Sequence, residues 1–179
     1  MNKILYTGLF CLFVIFLSAV LILSNKSPLI TPTYESLTPN AKRQVQCLTN
    51  NIYFESRSES VEGQIAVAFV TINRVNSKDF PDDICSVVTQ MTGRTCQFSW
   101  YCERTPKGQY VKNLLTTNNS ILYNDIREIA LFVYANHEKI KDPTYGSLYY
   151  HADYVNPRWH HLERVKMIRR HIFYKPKEA

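Results

Sequence analysis

Three carboxylates lie between two apolar segments in the stretch Asn50-Asn51-Ile52-Tyr53-Phe54-Glu55-Ser56-Arg57-Ser58-Glu59-Ser60-Val61-Glu62-Gly63-Gln64. The positions that share one helical face here are apolar up to the last, which is an acid: Ala41, Val45, Leu48, Ile52 and Glu55. A carboxyl group partly buried among apolar groups has a raised pKa, so it can hold a proton for a leaving oxygen near neutral pH. The alternative is a helix-end glutamate that turns to solvent or caps a neighbouring turn. Periodicity alone does not decide between the two.

Helical signals flank this stretch on both sides. Thr38-Pro39 supplies a cap and a first-turn proline, so the helix before the stretch should begin there and end near Glu55. The run at residues 65–70, Ile-Ala-Val-Ala-Phe-Val, suits a buried strand or a buried helix, and periodicity does not distinguish them. A proline and two acids within residues 80–83 predict another helix start. The residues facing inward from that helix would be Ile84, Val87 and Val88.

The rest of the domain divides into a loop, a helix and a strand region. Residues 92–119 lack periodicity and contain Gly, Pro and Asn, which predicts a long loop. A helix capped by Ser120 should follow, because one of its faces collects apolar residues and a histidine. Those residues are Leu122, Ile126, Ile129, Ala130, Val133 and His137. Short strands and turns are expected over residues 143–174, which are rich in aromatic residues.

The N-terminus has the features of a membrane anchor. Residues 4–23 carry no charge, and at about 1.5 Å per residue a helix of this length crosses the roughly 30 Å hydrocarbon layer. A cleaved signal peptide would have a shorter apolar core and a small-x-small site, which this segment supplies poorly. We therefore predict an uncleaved anchor over residues 1–26, a Pro- and Thr-rich linker over residues 27–40, and a folded domain over residues 41–179.

Composition indicates one globular domain. A chain of 179 residues has room for one core, and twelve Tyr, nine Phe and two Trp provide rings that pack in a core or stack on sugars. The net charge of +6 is modest, and its excess gathers near the C-terminus, where a solvated basic surface is the common explanation. We predict a monomer without a nucleic-acid partner.

Four cysteines lie outside the predicted membrane segment: Cys47, Cys85, Cys96 and Cys102. In an oxidising compartment they can form two disulfides in any of three pairings. A bond between Cys96 and Cys102 would close the loop that carries Trp100, and it would leave Cys47 to pair with Cys85. Alternatively, free buried cysteines would pack as small apolar groups.

Two other chemistries find little support. A metal site would have to be built from His151, Asp153, His160 and His161. Adjacent histidines seldom converge on one ion, and no paired-cysteine or His-Glu-x-x-His spacing is present, so no metal or other cofactor is predicted. A Cys/His peptidase would use Cys47 or Cys102, and neither has a recognisable nucleophile context.

Several short motifs resemble the SleB/CwlJ family of cell-wall hydrolases. In chain order they are Tyr53-Phe54-Glu55-Ser56-Arg57, Glu62-Gly63-Gln64-Ile65-Ala66-Val67-Ala68, Ile72-Asn73-Arg74-Val75, Phe80-Pro81, Gln97-Phe98-Ser99-Trp100, and Tyr150-His151-Ala152-Asp153-Tyr154-Val155 with Pro157 and Trp159. The resemblance covers roughly residues 48–174. It departs from the family at Ser58, where a Gly is frequent, and at Tyr149, where a His is frequent.

The resemblance implies an α+β domain, mainly helical with a small β region and related to lysozymes and lytic transglycosylases. In this chain the domain would be preceded by the one transmembrane helix predicted above from the uncharged N-terminal segment. It favours the helical alternative for residues 65–70. It also implies cleavage of the peptidoglycan strand between N-acetylmuramic acid and N-acetylglucosamine. Such a domain would act outside the cytoplasm, anchored to the membrane or secreted if the N-terminal segment is cleaved.

The family's essential acid falls on Glu55, so the resemblance favours a catalytic role there. An intact acid also argues against the alternative of a membrane-tethered wall-binding protein without catalysis. One acid suffices if the C6 hydroxyl of N-acetylmuramic acid attacks C1, because Glu55 then serves first as acid and later as base. A hydrolytic muramidase would need a second carboxylate, for which Glu62 and Asp153 are candidates; Glu62 is otherwise explained as a helix-start acid.

The residues expected to bind the sugar strand are aromatic and polar: Gln97, Phe98, Trp100, Tyr150, His151 and Asp153. Ring faces cover the apolar faces of pyranoses, and an amide bonds the N-acetyl group. Alternatively, Trp100 and Tyr150 belong to the core, and His151 with Asp153 forms a structural hydrogen-bonded pair.

Overall fold

The computed structural model describes residues 28–103 and 120–177. The predicted membrane anchor and much of the predicted long loop lie outside these ranges. Among the described residues, no helix is both long and apolar enough to cross a membrane.

The described residues form helices followed by a small sheet. The helices are α1 (Pro39–Ser56), α2 (Val61–Val75), α3 (Ile84–Val88), α4 (Ser99–Cys102) and α5 (Ser120–Asn136), with a 3-10 turn at Tyr34–Ser36. The strands are β1 (Met91–Thr92), β2 (Thr95–Cys96), β3 (Tyr149–Ala152), β4 (Leu162–Ile168) and β5 (His171–Pro176). This order confirms the predicted mixture of helix and sheet.

Local sequence signals account for the helix starts. The Thr38 side chain accepts a hydrogen bond from the Ala41 backbone N–H at 3.3 Å, which confirms the predicted start of α1. Residues 65–70 are helical, as the family resemblance implied. The helix predicted near residue 80 begins later, at Ile84, because the Asp83 side chain caps it by accepting from the Ser86 N–H at 3.1 Å.

The core lies where α1, α2 and α5 pack together. Its fully buried members include Val45, Leu48, Ile52, Ala68, Ile126, Ala130 and Val133. The opposite face of α2 packs Ala66 and Val70 against Ile168 and Phe173 of the sheet, so α2 is buried on both sides. Leu122, predicted to face inward, is 39% exposed because it lies in the first turn of α5, beyond the packed part of the helix.

The C-terminal region forms an antiparallel sheet in the order β3-β5-β4, which confirms the strands predicted there. Tyr150 of β3 lies opposite Phe173 of β5. The start of the predicted loop at residues 92–119 is more regular than expected. β1 and β2 form a hairpin that turns at Gly93 with φ +62°, and α4 follows it directly.

Disulfides join Cys47 to Cys85 and Cys96 to Cys102, as predicted. The first links α1 to α3 and the second links β2 to α4. Loop closure in the unfolded chain gives about 4 kcal/mol of stabilisation for the longer loop and about 2 kcal/mol for the shorter one.

The predicted linker contacts the domain more closely than expected. The Asn136 side chain accepts from the Ile30 N–H at 2.6 Å and donates to the Ile30 carbonyl at 2.7 Å. The Lys139 ammonium donates to the Pro28 carbonyl at 3.0 Å. The linker is therefore attached to the end of α5 from residue 28 onward, because Asn136 satisfies both backbone groups of Ile30.

Candidate active site

The turn between α1 and α2 lies next to Glu55 and is fixed by residues of α2. Gln64 on α2 donates its side-chain N–H groups to the carbonyls of Arg57, at 3.5 Å, and Glu59, at 3.2 Å. A Cβ at position 63 would lie 3.0 Å from the Glu59 Cβ, so only Gly63 allows this close approach without a shift. The Glu-Gly-Gln step thus fixes the turn between α1 and α2, which follows directly after Glu55.

The Asn-Arg pair near the end of α2 ties this helix to the segment leading into β3. Asn73 donates to the Asp142 carboxylate at 2.9 Å and to the Ser147 carbonyl at 3.1 Å. The Arg74 Nε donates to the Leu148 carbonyl at 2.8 Å. These bonds hold β3 beside the C-terminal end of α1, so residues distant in sequence meet there.

A cavity of about 160 Å³ lies at this junction. We call it the Glu55 cavity, and its lining residues are Glu55, Arg74, Gln97, Phe98, Tyr149, Tyr150 and Trp159. They come from α1, α2, the loop between β2 and α4, β3 and the β3–β4 connection. Glu55 is half-buried, and it is the only carboxyl group among the lining residues that the structure describes.

Glu55 is held in a state suited to proton transfer. The Tyr150 hydroxyl donates a hydrogen bond to Glu55 Oε2 at 3.0 Å. Burial raises the pKa of Glu55 above its usual range, although the hydrogen bond from Tyr150 and the charge of Arg74 act in the opposite direction. The nearby charge of Glu103 adds to the increase. A carboxyl group with a raised pKa beside an open cavity can donate a proton and later recover one.

Three of the predicted sugar-binding residues line the cavity: Gln97, Phe98 and Tyr150. Trp100 does not. Its indole is 5% exposed, stacks on Phe54 with ring centroids 4.6 Å apart, and donates to the Asn51 side chain at 3.2 Å. Trp100 is therefore a core residue, because a satisfied N–H and a stacked ring bury it away from any sugar.

His151 and Asp153 also lie outside the lining of the Glu55 cavity. The His151 ring stacks on Tyr174, and its Nε2 lies 2.9 Å from the Tyr174 hydroxyl. Asp153 forms an ion pair with Arg170 at 3.7 Å. Both have structural partners, but they are not each other's partners. Glu62 is exposed in the first turn of α2 and does not line the cavity.

The predicted set did not include Arg74, Tyr149 and Trp159, which also line the cavity. Arg74 and Trp159 occur in the motifs that carry the family resemblance, and Tyr149 is one of its departures. Those motifs were the available signal, but they do not say which side chains share one cavity. Within residues 28–103 and 120–177, no group of three or more His, Cys, Asp and Glu is placed to hold a metal ion.

Comparison with known proteins places this chain in a family. Residues 58–174 match the Cell Wall Hydrolase family. A spore cortex-lytic enzyme of Bacillus cereus is 30% identical over 141 residues, which cover 76% of this chain and 47% of that protein. The chain thus spans about half the length of that relative. Glu55 lies three residues before the family match begins.

Two solved structures have a similar fold. The catalytic domain of the germination-specific lytic transglycosylase SleB from Bacillus anthracis is 30% identical with a TM-score of 0.54, and the match covers 78% of this chain and 98% of that one. The catalytic domain of the Bacillus cereus SleB protein is 31% identical with a TM-score of 0.53, covering 75% and 91%. The helix-and-sheet fold is similar to that of the SleB catalytic domain, and the chain belongs to the cell-wall hydrolase family.

Proposed function

We propose that this protein cleaves the glycan strand of peptidoglycan between N-acetylmuramic acid and N-acetylglucosamine, as a lytic transglycosylase with Glu55 as acid and then base. One observation carries the proposal: among the described residues that line the cavity, Glu55 is the single carboxyl group, and burial raises its pKa. The similarity to a structure described as a lytic transglycosylase supports the same reaction class.

One carboxyl group can complete this reaction. Neutral Glu55 gives its proton to the bridging oxygen of N-acetylglucosamine as the bond from that oxygen to C1 of N-acetylmuramic acid breaks. The C6 hydroxyl of N-acetylmuramic acid then bonds to C1 and releases its proton to the Glu55 carboxylate. The product is a 1,6-anhydro end, no water is consumed, and Glu55 returns to its starting protonation state.

The lining offers contacts for a sugar strand. The Trp159 indole is half-buried and can cover the apolar face of a pyranose. The exposed Gln97 amide, which also lines the cavity, can bond an N-acetyl group. Phe98 also lines the cavity and is buried, so it shapes the wall. Trp100 has no part in this proposal, because it lies in the core.

A hydrolytic muramidase is the second candidate. It needs a carboxylate to activate water on the far side of the sugar. Glu62 and Asp153 were the sequence candidates, and neither lines the Glu55 cavity. The observation that keeps this candidate open is Glu103, an exposed residue whose charge acts on Glu55.

We propose that the domain acts outside the cytoplasm, since its two disulfides form in oxidising compartments. Anchoring through residues 1–26 and a monomeric state stay predictions from the sequence. Retention of the full-length protein by membranes after a carbonate wash would test the anchor.

Fragment analysis tests the reaction. Purified peptidoglycan is digested with the protein in ¹⁸O-labelled water, and the products are identified by mass spectrometry. Anhydro ends without the label are expected. Labelled reducing ends would replace the transglycosylase with the muramidase. Intact strands in the presence of folded protein that still binds the wall would leave only a binding role.

A further inference from the structure

Arg74 is a buried cation in the wall of the Glu55 cavity. Only 3% of the residue is exposed, although it belongs to the lining. Its Nε–H donates to the Leu148 carbonyl, and this bond fixes the guanidinium beside the segment that leads into β3. Its Nη1 is buried and has no hydrogen-bond partner among the described residues. An unused donor on a buried charge is unfavourable unless another group compensates for it.

Aromatic rings surround the same guanidinium. Its central carbon lies 5.0 Å from the Phe80 ring centroid, 5.1 Å from that of Phe98 and 5.8 Å from that of Tyr149. Ring faces attract a cation weakly but cannot neutralise it. None of these partners is an anion, so the positive charge of Arg74 is not paired in the way that buried arginines usually are.

The acid that shares the cavity with this cation is Glu55. Glu55 starts the proposed reaction neutral and becomes a carboxylate when its proton leaves. We infer that Arg74 is a positioning residue that supplies the fixed positive charge for the carboxylate form of Glu55 during the reaction. The inference rests on the proposed function and deepens it, since it names the group that stabilises the catalytic acid after proton transfer.

The electrostatic surroundings of Glu55 fit this role. Burial disfavours its charged form, and two groups favour it: the Tyr150 hydroxyl by a hydrogen bond and Arg74 by its charge. Glu103, at the end of α4, opposes them. The Arg74 charge is held in place before the reaction, so no reorganisation is needed when the carboxylate forms.

Removal of the charge has a specific consequence. Without Arg74 the carboxylate of Glu55 is less stable, so its pKa rises further and the acid stays protonated to higher pH. The alkaline limb of the pH profile of kcat should therefore move to higher pH. The plateau should fall about tenfold, because a weaker acid transfers its proton less readily and the negative charge is less stabilised.

The test compares Arg74→Met with wild type and with Arg127→Met, a matched control. Arg127 on α5 also has a guanidinium against a ring, 4.9 Å from the Tyr34 centroid, and a buried Nε without a partner among the described residues. It lies outside the Glu55 cavity. Activity on soluble glycan fragments is measured across pH, with a thermal melt of each protein.

For Arg74→Met we expect the alkaline limb to move to higher pH and kcat to be about tenfold lower. For Arg127→Met we expect no shift. Arg74→Lys, which keeps the charge, should restore the limb toward its wild-type position. If Arg74→Met does not fold, Arg74→Gln replaces it, because its amide can still donate to the Leu148 carbonyl. A higher KM with an unchanged limb would mean that Arg74 binds substrate, and a lower melting temperature alone would mean a purely structural role; either result overturns the inference.

Glu55→Gln separates this outcome from a failure of the proposed function. If Glu55→Gln is inactive and Arg74→Met keeps the wild-type pH profile, only the inference about Arg74 is wrong. If Glu55→Gln remains active, the proposed function itself is wrong, whatever Arg74→Met does.

Discussion

The Glu55 cavity and a larger cavity that also contains carboxyl groups lie in different parts of the domain, and the larger one is not the candidate active site. The larger, of about 230 Å³, lies between α1, α2, α3 and the C-terminal end of α5, and we call it the Asp83 cavity. Its lining residues are Asn40, Gln44, Ile72, Val75, Asn76, Asp82, Asp83, Ile84, Tyr134 and His137. The Glu55 cavity has about 160 Å³. Volume alone would therefore not select the candidate active site.

The two carboxyl groups differ in how their oxygens are used. Asp83 Oδ1 accepts from the Ser86 N–H and from the Gln44 amide, both at 3.1 Å. The Ser86 hydroxyl bond is the largest cause of its lowered pKa, so Asp83 stays ionised and caps α3. Glu55 has a raised pKa, mainly from burial. A carboxyl group whose charged form is disfavoured by burial, such as Glu55, is suited to proton transfer. A carboxylate whose oxygens accept hydrogen bonds, such as Asp83, stabilises the fold.

Glu55→Gln should cause the largest loss of activity, and the same change at Asp83 should not. It keeps the shape of the side chain and an oxygen that can accept from Tyr150, but it removes the transferable proton. Wall-degrading activity should fall about 10²- to 10⁴-fold, the usual contribution of a general acid. Turbidity loss on purified walls measures it. Asp83→Asn, the same carboxyl-to-amide change in the other cavity, should leave the activity near wild type; equal losses in both variants would contradict the comparison.

Tyr150→Phe should have the next largest effect. It removes the hydroxyl that donates to Glu55 Oε2 at 3.0 Å, a bond worth about 1.5–3 kcal/mol when the acceptor is charged. We expect activity to fall about tenfold or more and the alkaline limb of the pH profile to move to higher pH. Tyr123→Phe is the control, because the Tyr123 hydroxyl donates to Asn50 at 2.6 Å, outside the Glu55 cavity. An unchanged profile for Tyr150→Phe would show that its hydrogen bond does not tune the acid.

Asp83→Ala should change stability instead of activity. It removes the cap of α3 and a partner of Gln44, and loss of an N-cap typically lowers the free energy of unfolding by about 1 kcal/mol. Chemical denaturation measures this loss, and turbidity assays below the melting transition should give wild-type rates. A large loss of activity in the folded variant would mean that the Asp83 cavity also serves function.

The smallest expected effect is on the pH dependence of stability, with opposite signs at the two carboxyl groups. The pKa of Glu55 in the folded protein is raised above its usual value of 4.5. Its contribution to the free energy of unfolding is therefore present below that pH and is lost as pH rises through the folded pKa. Glu55→Gln should therefore raise the melting temperature at about pH 8 but not at about pH 4.

The opposite sign holds for Asp83, whose folded pKa is lowered below 3.8. The contribution of Asp83 to the free energy of unfolding is present above that pH and is lost as pH falls through the folded pKa. Asp83→Asn should therefore lower stability at neutral pH more than in strong acid. Melting curves followed by circular dichroism would reveal both signs, and a gain at low pH for Glu55→Gln would contradict the raised pKa.

Local patterns in the sequence predicted most of the helical framework. Spacing placed Val45, Leu48 and Ile52 on the buried face of α1, and cysteine positions suggested the two disulfides that the structure contains. These features depend on residues close together in sequence or on a small number of possible pairings. Residues 65–70 needed the family resemblance, because a segment buried on both sides has no periodicity to read.

The sequence by itself determined that an acid ends the apolar face of α1 and that family motifs surround it. Only the tertiary structure decided which side chains meet that acid. Tyr150 reaches Glu55 because bonds from the end of α2 hold β3 beside α1. Arg74, on α2, lies close enough for its charge to act on Glu55. The same packing buries Trp100 and leaves Gln97 at the cavity, although both lie in one short motif. Neighbouring residues can thus have different roles, since side-chain direction and long-range packing are not encoded in local spacing.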